Sequence, residues 1–148
     1  MRVVVQRAIN ASCVVNGEIT GKIDKGFMIL VGFTNGDSET DIKLLAKKVV
    51  GLRVFEDEAG KMNLGLKDVS GEILAISQFT LYADCKKGNR PSFVNAGKPE
   101  LANSLYEYII EKCKEQVPNV QTGSFGADMK IALVNDGPFT IVLDSRDL

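Results

Sequence analysis

The chain has 148 residues, 45% hydrophobic and 25% charged, with a formal net charge of −1. That length predicts one domain, residues 1–148, able to bury a proper core; no apolar run approaches the ~18 residues of a membrane span, and the start lacks a signal-peptide layout. The sequence contains no histidine, which excludes Ser-His-Asp and Cys-His catalysis and any histidine-ligated metal, and the near-neutral charge does not advertise a general nucleic-acid binder, although a local basic patch remains open.

In chain order, "MRVVVQRAINASCVV" is rich in β-branched residues and ends on Asn16-Gly17, the favoured pair for a two-residue type I′ hairpin. The return strand is "EITGKI"; Lys25-Gly26 then separates it from a continuous apolar strand, "FMILVGF", which must be buried on both faces. Ser38 with Asp41 forms a capping-box pattern that opens a helix with Ile42, Leu45, Ala46 and Val49 on one face and Gly51 as its stop. "LRVFED" reads as a short strand, "EAGK" as a turn, and "GEILAISQFTLYA", residues 71–83, as a long strand. A loop dense in Gly, Pro, Asn and Lys follows. Pro99 at the first helical position and Glu100 behind it open a second helix, with Leu101, Leu105, Tyr108, Ile109 and Cys113 as its buried stripe and Pro118 past its end. Three strand patterns close the chain: "NVQTGSF", "ADMKIALVN" and "FTIVLDS". No repeat or linker is visible. This order predicts an α+β fold, mostly β, with a mixed or barrel-like sheet and two helices packed on one side. Cys13, Cys85 and Cys113 have neither the number nor the spacing of a disulfide framework or zinc site; they predict structural thiols in a reduced, cytoplasmic setting. No metal or cofactor is expected.

Three segments resist a purely structural reading. In "AISQFTLYAD", strand geometry puts Ser77, Phe79 and Leu81 on one face and Gln78, Thr80 and Tyr82 on the other. The polar residues either line a solvated face or converge on a ligand at a strand end. Thr80 has no adjacent base to make it a nucleophile. In "CKKGNRPSF", Lys86, Lys87 and Arg90 form either a solvated loop or a phosphate-tracking patch. Asn135-Asp136-Gly137-Pro138 is either an ordinary β-turn or a shaped backbone element whose carbonyls lack side-chain cover, at the kind of bond where cis peptides occur.

Taken together, "SQFTL" at 77–81, "KGNRPSF" at 87–93 and "NDGP-T" at 135–140 resemble the signature motifs of the D-aminoacyl-tRNA deacylase family, also called D-tyrosyl-tRNA deacylases. The likeness is nearly full-length and collinear, taking in "QRA" near the start, "GKMNL" at 60–64 and "QTGSFGADM" at 121–129. It implies a homodimeric, mostly β hydrolase that cleaves the ester joining a D-amino acid, or mischarged glycine, to the 3′-terminal ribose of tRNA. The resemblance assigns Ser77, Gln78, Phe79 and Thr80 to catalysis, with Leu81 completing the motif. It also implies a cis Gly137-Pro138 bond inserted into the partner subunit's site, Arg7 bracing that motif, and Phe125 and Met129 beside the pocket. Lys86, Lys87 and Arg90 become the tRNA-contacting patch. One departure is Phe139, where the family more often carries valine.

An aminoacyl ester is already activated, so its hydrolysis needs a positioned water and a stabilised oxyanion more than a strong nucleophile. Backbone N–H groups around Phe79-Thr80 would meet the oxyanion, the Thr80 hydroxyl would orient water, and the neighbouring ribose 2′-OH would stand in for the missing base. The Gly137-Pro138 carbonyls would hold the α-ammonium so that an L side chain strikes backbone, while glycine passes. Two alternatives stand beside this: a relative with a trans Gly-Pro peptide that edits an L-amino acid, and a non-catalytic RNA-binding module.

Overall fold

The computed structural model describes residues 1–148. Strands β1 (Arg2–Val15) and β2 (Glu18–Gly32) form a long antiparallel hairpin. Asn16 and Gly17 take φ of 49° and 80° at its tip, the left-handed pair a type I′ turn requires. The two strands expected on either side of Lys25-Gly26 are one. Gly26, at φ 151°, lets the strand run on while its bare Cα lies against a neighbouring strand; an added Cβ would stand 1.9 Å from the Glu72 carbonyl oxygen.

That neighbour is β5 (Glu72–Ser77), parallel to β2 from Gly26↔Glu72 to Val31↔Ser77. Two short strands, β3 (Phe55–Glu56) and β4 (Met62–Leu64), form a separate hairpin. With β6 (Val120–Thr122) and β7 (Lys130–Asp144), the main sheet has the order β6-β5-β2-β1-β7. It is an open mixed sheet rather than a barrel: β2, β5 and β6 pair in parallel, and β1 pairs antiparallel to both neighbours. Central β2 is covered on both faces, as its apolar run demands. Phe27, Ile29 and Val31 face the helical side, and Met28 faces the other.

The helices α1 (Glu39–Gly51) and α2 (Pro99–Lys114) pack against each other over one face. At the α1 start, the Asp41 carboxylate accepts from Ser38 N at 2.8 Å and from Ser38 Oγ at 2.9 Å. Ile42, Leu45 and Val49 are fully buried beneath α1, each contributing roughly 1.5–3 kcal/mol of burial. The buried stripe of α2 differs from expectation: Ala102 and Tyr106 point inward in place of Leu101, which is 38% exposed, and the half-buried Tyr108. The apolar periodicity admits either stripe. The Tyr106 hydroxyl decides it by donating to the Ala75 carbonyl at 2.7 Å, and burial pushes that hydroxyl up to about 12, so it stays protonated. Cys13 and Cys113 are buried and free as expected, but Cys85 is exposed.

The opposite face carries a smaller cluster of Met28, Leu74, Ile76 and Cys13, edged by partly exposed Leu30, Met129, Ile131 and Leu133. Strand β7 ends the sheet with no partner on its outer side, and Val134 and Val142 stand out from it at 55% and 66% exposure. Neither helix is long and apolar enough to cross a membrane.

Candidate active site

The strand expected over 71–83 stops at Ser77. Gln78 N makes the last sheet bond, 2.8 Å to the Val31 carbonyl, and β2 itself ends one residue later, so there is no backbone left to pair with. Phe79–Tyr82 winds instead into a single 3₁₀ turn, which breaks the two-residue alternation on which the two-faced reading of Gln78, Thr80 and Tyr82 rested. The first bond of the turn runs from Leu81 N to Gln78 O. The N–H groups of Phe79 and Thr80 precede it and have no acceptor within the turn. Gln78 Nε2 donates to Thr80 Oγ at 2.5 Å, fixing the hydroxyl and leaving its proton free to be donated elsewhere.

This turn closes one end of a cavity of about 710 Å³ between the end of β5 and the start of α2. Ser77, Gln78 and Phe79 line it together with Phe125 and Met129, so two sequence segments nearly 50 residues apart meet there. Phe33 and Phe93 complete its apolar wall; sequence reasoning assigns neither to the site. The signal for Phe93 is an aromatic side chain in an otherwise polar Gly/Pro loop, where no local core explains it. Its ring packs edge-on against Phe79 at 4.9 Å between ring centres. Thr80, Arg7, Gly137 and Pro138 do not line this cavity.

Gly137 and Pro138 lie elsewhere on the chain, and they are not a turn that reverses direction. The two strand patterns flanking them are both β7, paired with β1 on either side. Gln6 faces Thr140 and Ala8 faces Asn135, so residues 136–139 bulge out opposite the single residue Arg7. Arg7 holds the base of the bulge. Its Nε donates to the Asp136 carbonyl at 2.9 Å, its Nη1 to the Val54 carbonyl at 2.5 Å, and its guanidinium lies 4.9 Å from the centre of the Phe139 ring. Asn135 clamps the other side: its Oδ1 accepts from Phe139 N at 2.6 Å, and its Nδ2 donates to Thr140 Oγ at 3.0 Å. Gly137 has φ 148°, and a Cβ there would meet Phe139 N at 2.9 Å. The Gly137-Pro138 peptide is cis, and both residues are exposed.

The basic loop does lie beside the turn. Asp84 and Ser92 close it with reciprocal backbone bonds of 2.8 and 2.9 Å, and Lys86, Lys87 and Arg90 project from it, all exposed. No group of three or more Cys, Asp or Glu side chains is gathered anywhere as a metal would need.

The profile of the D-Tyr-tRNA(Tyr) deacylase family matches residues 4–144. A D-aminoacyl-tRNA deacylase of Clostridium novyi (strain NT) is 57% identical over 146 residues, covering 99% of this chain and 98% of the relative. One from Thermosipho africanus (strain TCF52B) is 51% identical with the same coverage. Among solved structures, the c-Myc DNA unwinding element binding protein superposes with a TM-score of 0.92 at 38% identity, over 97% of this chain and 98% of that one. A probable eukaryotic D-amino acid tRNA deacylase superposes at 0.83 with 16% identity, over 96% and 97%, a likeness of fold alone.

Proposed function

Because the chain belongs to the D-Tyr-tRNA(Tyr) deacylase family, we propose that its one domain, residues 1–148, is an ester hydrolase that releases D-amino acids, and glycine, from the 3′ end of tRNA. The observation that carries this reading is the 3₁₀ turn after Ser77. It ends a strand beside an apolar cavity with two N–H groups ahead of its first bond and a threonine hydroxyl held by Gln78. The Phe79 and Thr80 N–H groups stabilise the oxyanion formed when water attacks the ester carbonyl. The Thr80 hydroxyl orients that water, and the ribose 2′-OH accepts its proton while passing its own to the departing 3′-oxygen, so the chain's lack of histidine is no obstacle.

Chirality is read by the Gly137-Pro138 bulge. Its carbonyls hold the α-ammonium, so an L side chain is driven into backbone. In its own chain the bulge stands apart from the cavity, which supports a site completed by a second copy of the chain. The unpartnered outer edge of β7 and the half-exposed apolar residues Leu30, Ile131 and Leu133 supply a surface for such a homodimer. The test is incubation with D-tyrosyl-tRNA and glycyl-tRNA, measuring released amino acid. Release from both is expected; binding of the tRNA without release from either would leave a binding module and overturn the reading.

A further inference from the structure

Behind the 3₁₀ turn lies a second hollow, of about 530 Å³, that differs in chemistry from the apolar cavity. Arg2, Lys86, Arg146, Thr34 and Asn95 line it, with Asp84 as its one carboxylate. Arg2 is committed: its Nε pairs with Asp144 at 2.7 Å and its Nη1 donates to the Leu81 carbonyl at 3.0 Å. The side chains of Lys86 and Arg146 have no ion pair or hydrogen bond of their own, and both are exposed. The Tyr82 ring lies under the Arg2 guanidinium at 4.8 Å, and its hydroxyl is buried without a hydrogen-bond partner.

The two hollows share walls. Phe79 lines the apolar one and Tyr82, three residues along the same turn, lines the polar one; Ala96 and Asn95 divide in the same way. The turn and the segment at Asn95-Ala96 each contribute to both hollows, so the two adjoin. An arginine fork and a lysine point charge, both uncommitted, suit a phosphate better than any neutral group. We infer that this polar hollow, through Arg146 and Lys86 with Arg2 behind them, holds an internucleotide phosphate of the single-stranded RNA 3′ end whose terminal aminoacyl ester enters the neighbouring apolar cavity. This rests on the function proposed above and narrows the basic patch. Of the loop cations Lys86, Lys87 and Arg90, only Lys86 faces the hollow, and Arg146 joins it from the other end of the chain.

The probe is a fluorescein-labelled single-stranded RNA hexamer ending in a free 3′-adenosine, bound to the full chain over a series of salt concentrations. The double variant K86A/R146A is expected to bind about tenfold more weakly, with a salt slope shallower by about 0.7 for each phosphate no longer neutralised. Both side chains are exposed, and a thermal melt confirms that the variant is folded. K43A/K47A, which removes the same charge from the exposed face of α1, is the control. Binding unchanged in K86A/R146A, or weakened as much in the control, would overturn the site. Inorganic phosphate competing as effectively as unlabelled hexamer would assign the hollow to a free anion instead and overturn it too. The assay involves no hydrolysis. A chain that grips the hexamer through Lys86 and Arg146 yet releases no D-tyrosine would retain this site and lose the proposed function.

Discussion

Arg7 does more for the candidate site than its single charge suggests. Its two charge-assisted hydrogen bonds end on backbone carbonyls of different elements, Asp136 in the bulge and Val54 before β3, and its guanidinium covers Phe139. Hydrogen bonds to a charged donor contribute roughly 1.5–3 kcal/mol each, and removing the donor orphans both carbonyls. Arg7→Ala is therefore expected to cost about 2–4 kcal/mol in urea denaturation and to lower discrimination between D- and L-substrates more than it lowers turnover of glycyl-tRNA. Equal losses on all three would mean that Arg7 supports only the fold. At this scale the sequence was legible where a residue's own chemistry sets its role: Asn16-Gly17 at the hairpin, the Ser38 and Asp41 pair, Pro99 at the head of α2. It was less so where a role depends on a distant partner. Tyr106 turns inward because of Ala75, and Phe93, itself exposed, packs on Phe79, and neither partner can be read from local spacing.

Among the elements, the corrections share one cause. Periodicity reports which way side chains alternate, but not where a neighbouring strand begins or ends. Gly26 reads as a break because glycine weakens strands, whereas here it admits the Glu72 backbone and the strand continues. Ser77 to Ala83 keeps a strand-like alternation, yet the chain coils once β2 ends and leaves it nothing to pair with. Asn135 to Pro138 reads as either a turn or a shaped backbone element, and pairing with β1 on both sides makes it a bulge. The two departures that form the candidate site are thus the two places where pairing with a neighbouring strand gives way. The C-terminal end of β7 also sets an acid limit on stability. Burial pushes the Asp144 carboxyl up, but donation from Arg2 Nε and Arg146 N–H outweighs it and holds the group below the ordinary carboxylate range. Asp57 is held low chiefly by the Lys61 N–H. A carboxylate with a lowered folded pKa stabilises the fold above its unfolded value, about 3.9, and loses that contribution as pH falls through the folded one. Urea midpoints are expected to be level between about pH 6 and 5 and to drop below about pH 4, less steeply in Asp144→Asn; a midpoint that rises on acidification would contradict this.

For the whole molecule, the separation of the bulge from the cavity within one chain leads to a complementation experiment. Thr80→Ala removes the turn's hydroxyl, and Gly137→Val puts a branched side chain on a backbone where even a Cβ is crowded. If each site takes its turn from one copy and its bulge from the other, a heterodimer of the two variants contains one intact site and one doubly altered one. The isolated heterodimer should therefore regain about half the activity of the unaltered dimer, and a randomly paired equimolar mixture about a quarter, while either homodimer remains impaired. Mixed subunits no better than the two homodimers would place both elements in one chain's site. Composition had limited the chemistry to groups other than histidine, and the collinear motifs supplied the family. The resemblance also carried the expectation of a site shared between subunits; what needed the structure is that the bulge and the cavity lie apart within one chain, because local spacing does not say which segments meet.

This chain is expected to hydrolyse D-aminoacyl esters on tRNA and to spare L-aminoacyl esters by backbone exclusion. The most direct measurement compares initial rates of amino-acid release from D-tyrosyl-tRNA and L-tyrosyl-tRNA under identical conditions. A D-to-L ratio above about one hundred, equivalent to ~2.7 kcal/mol of discrimination in the transition state, is the predicted result. Equal rates on the two esters would contradict it.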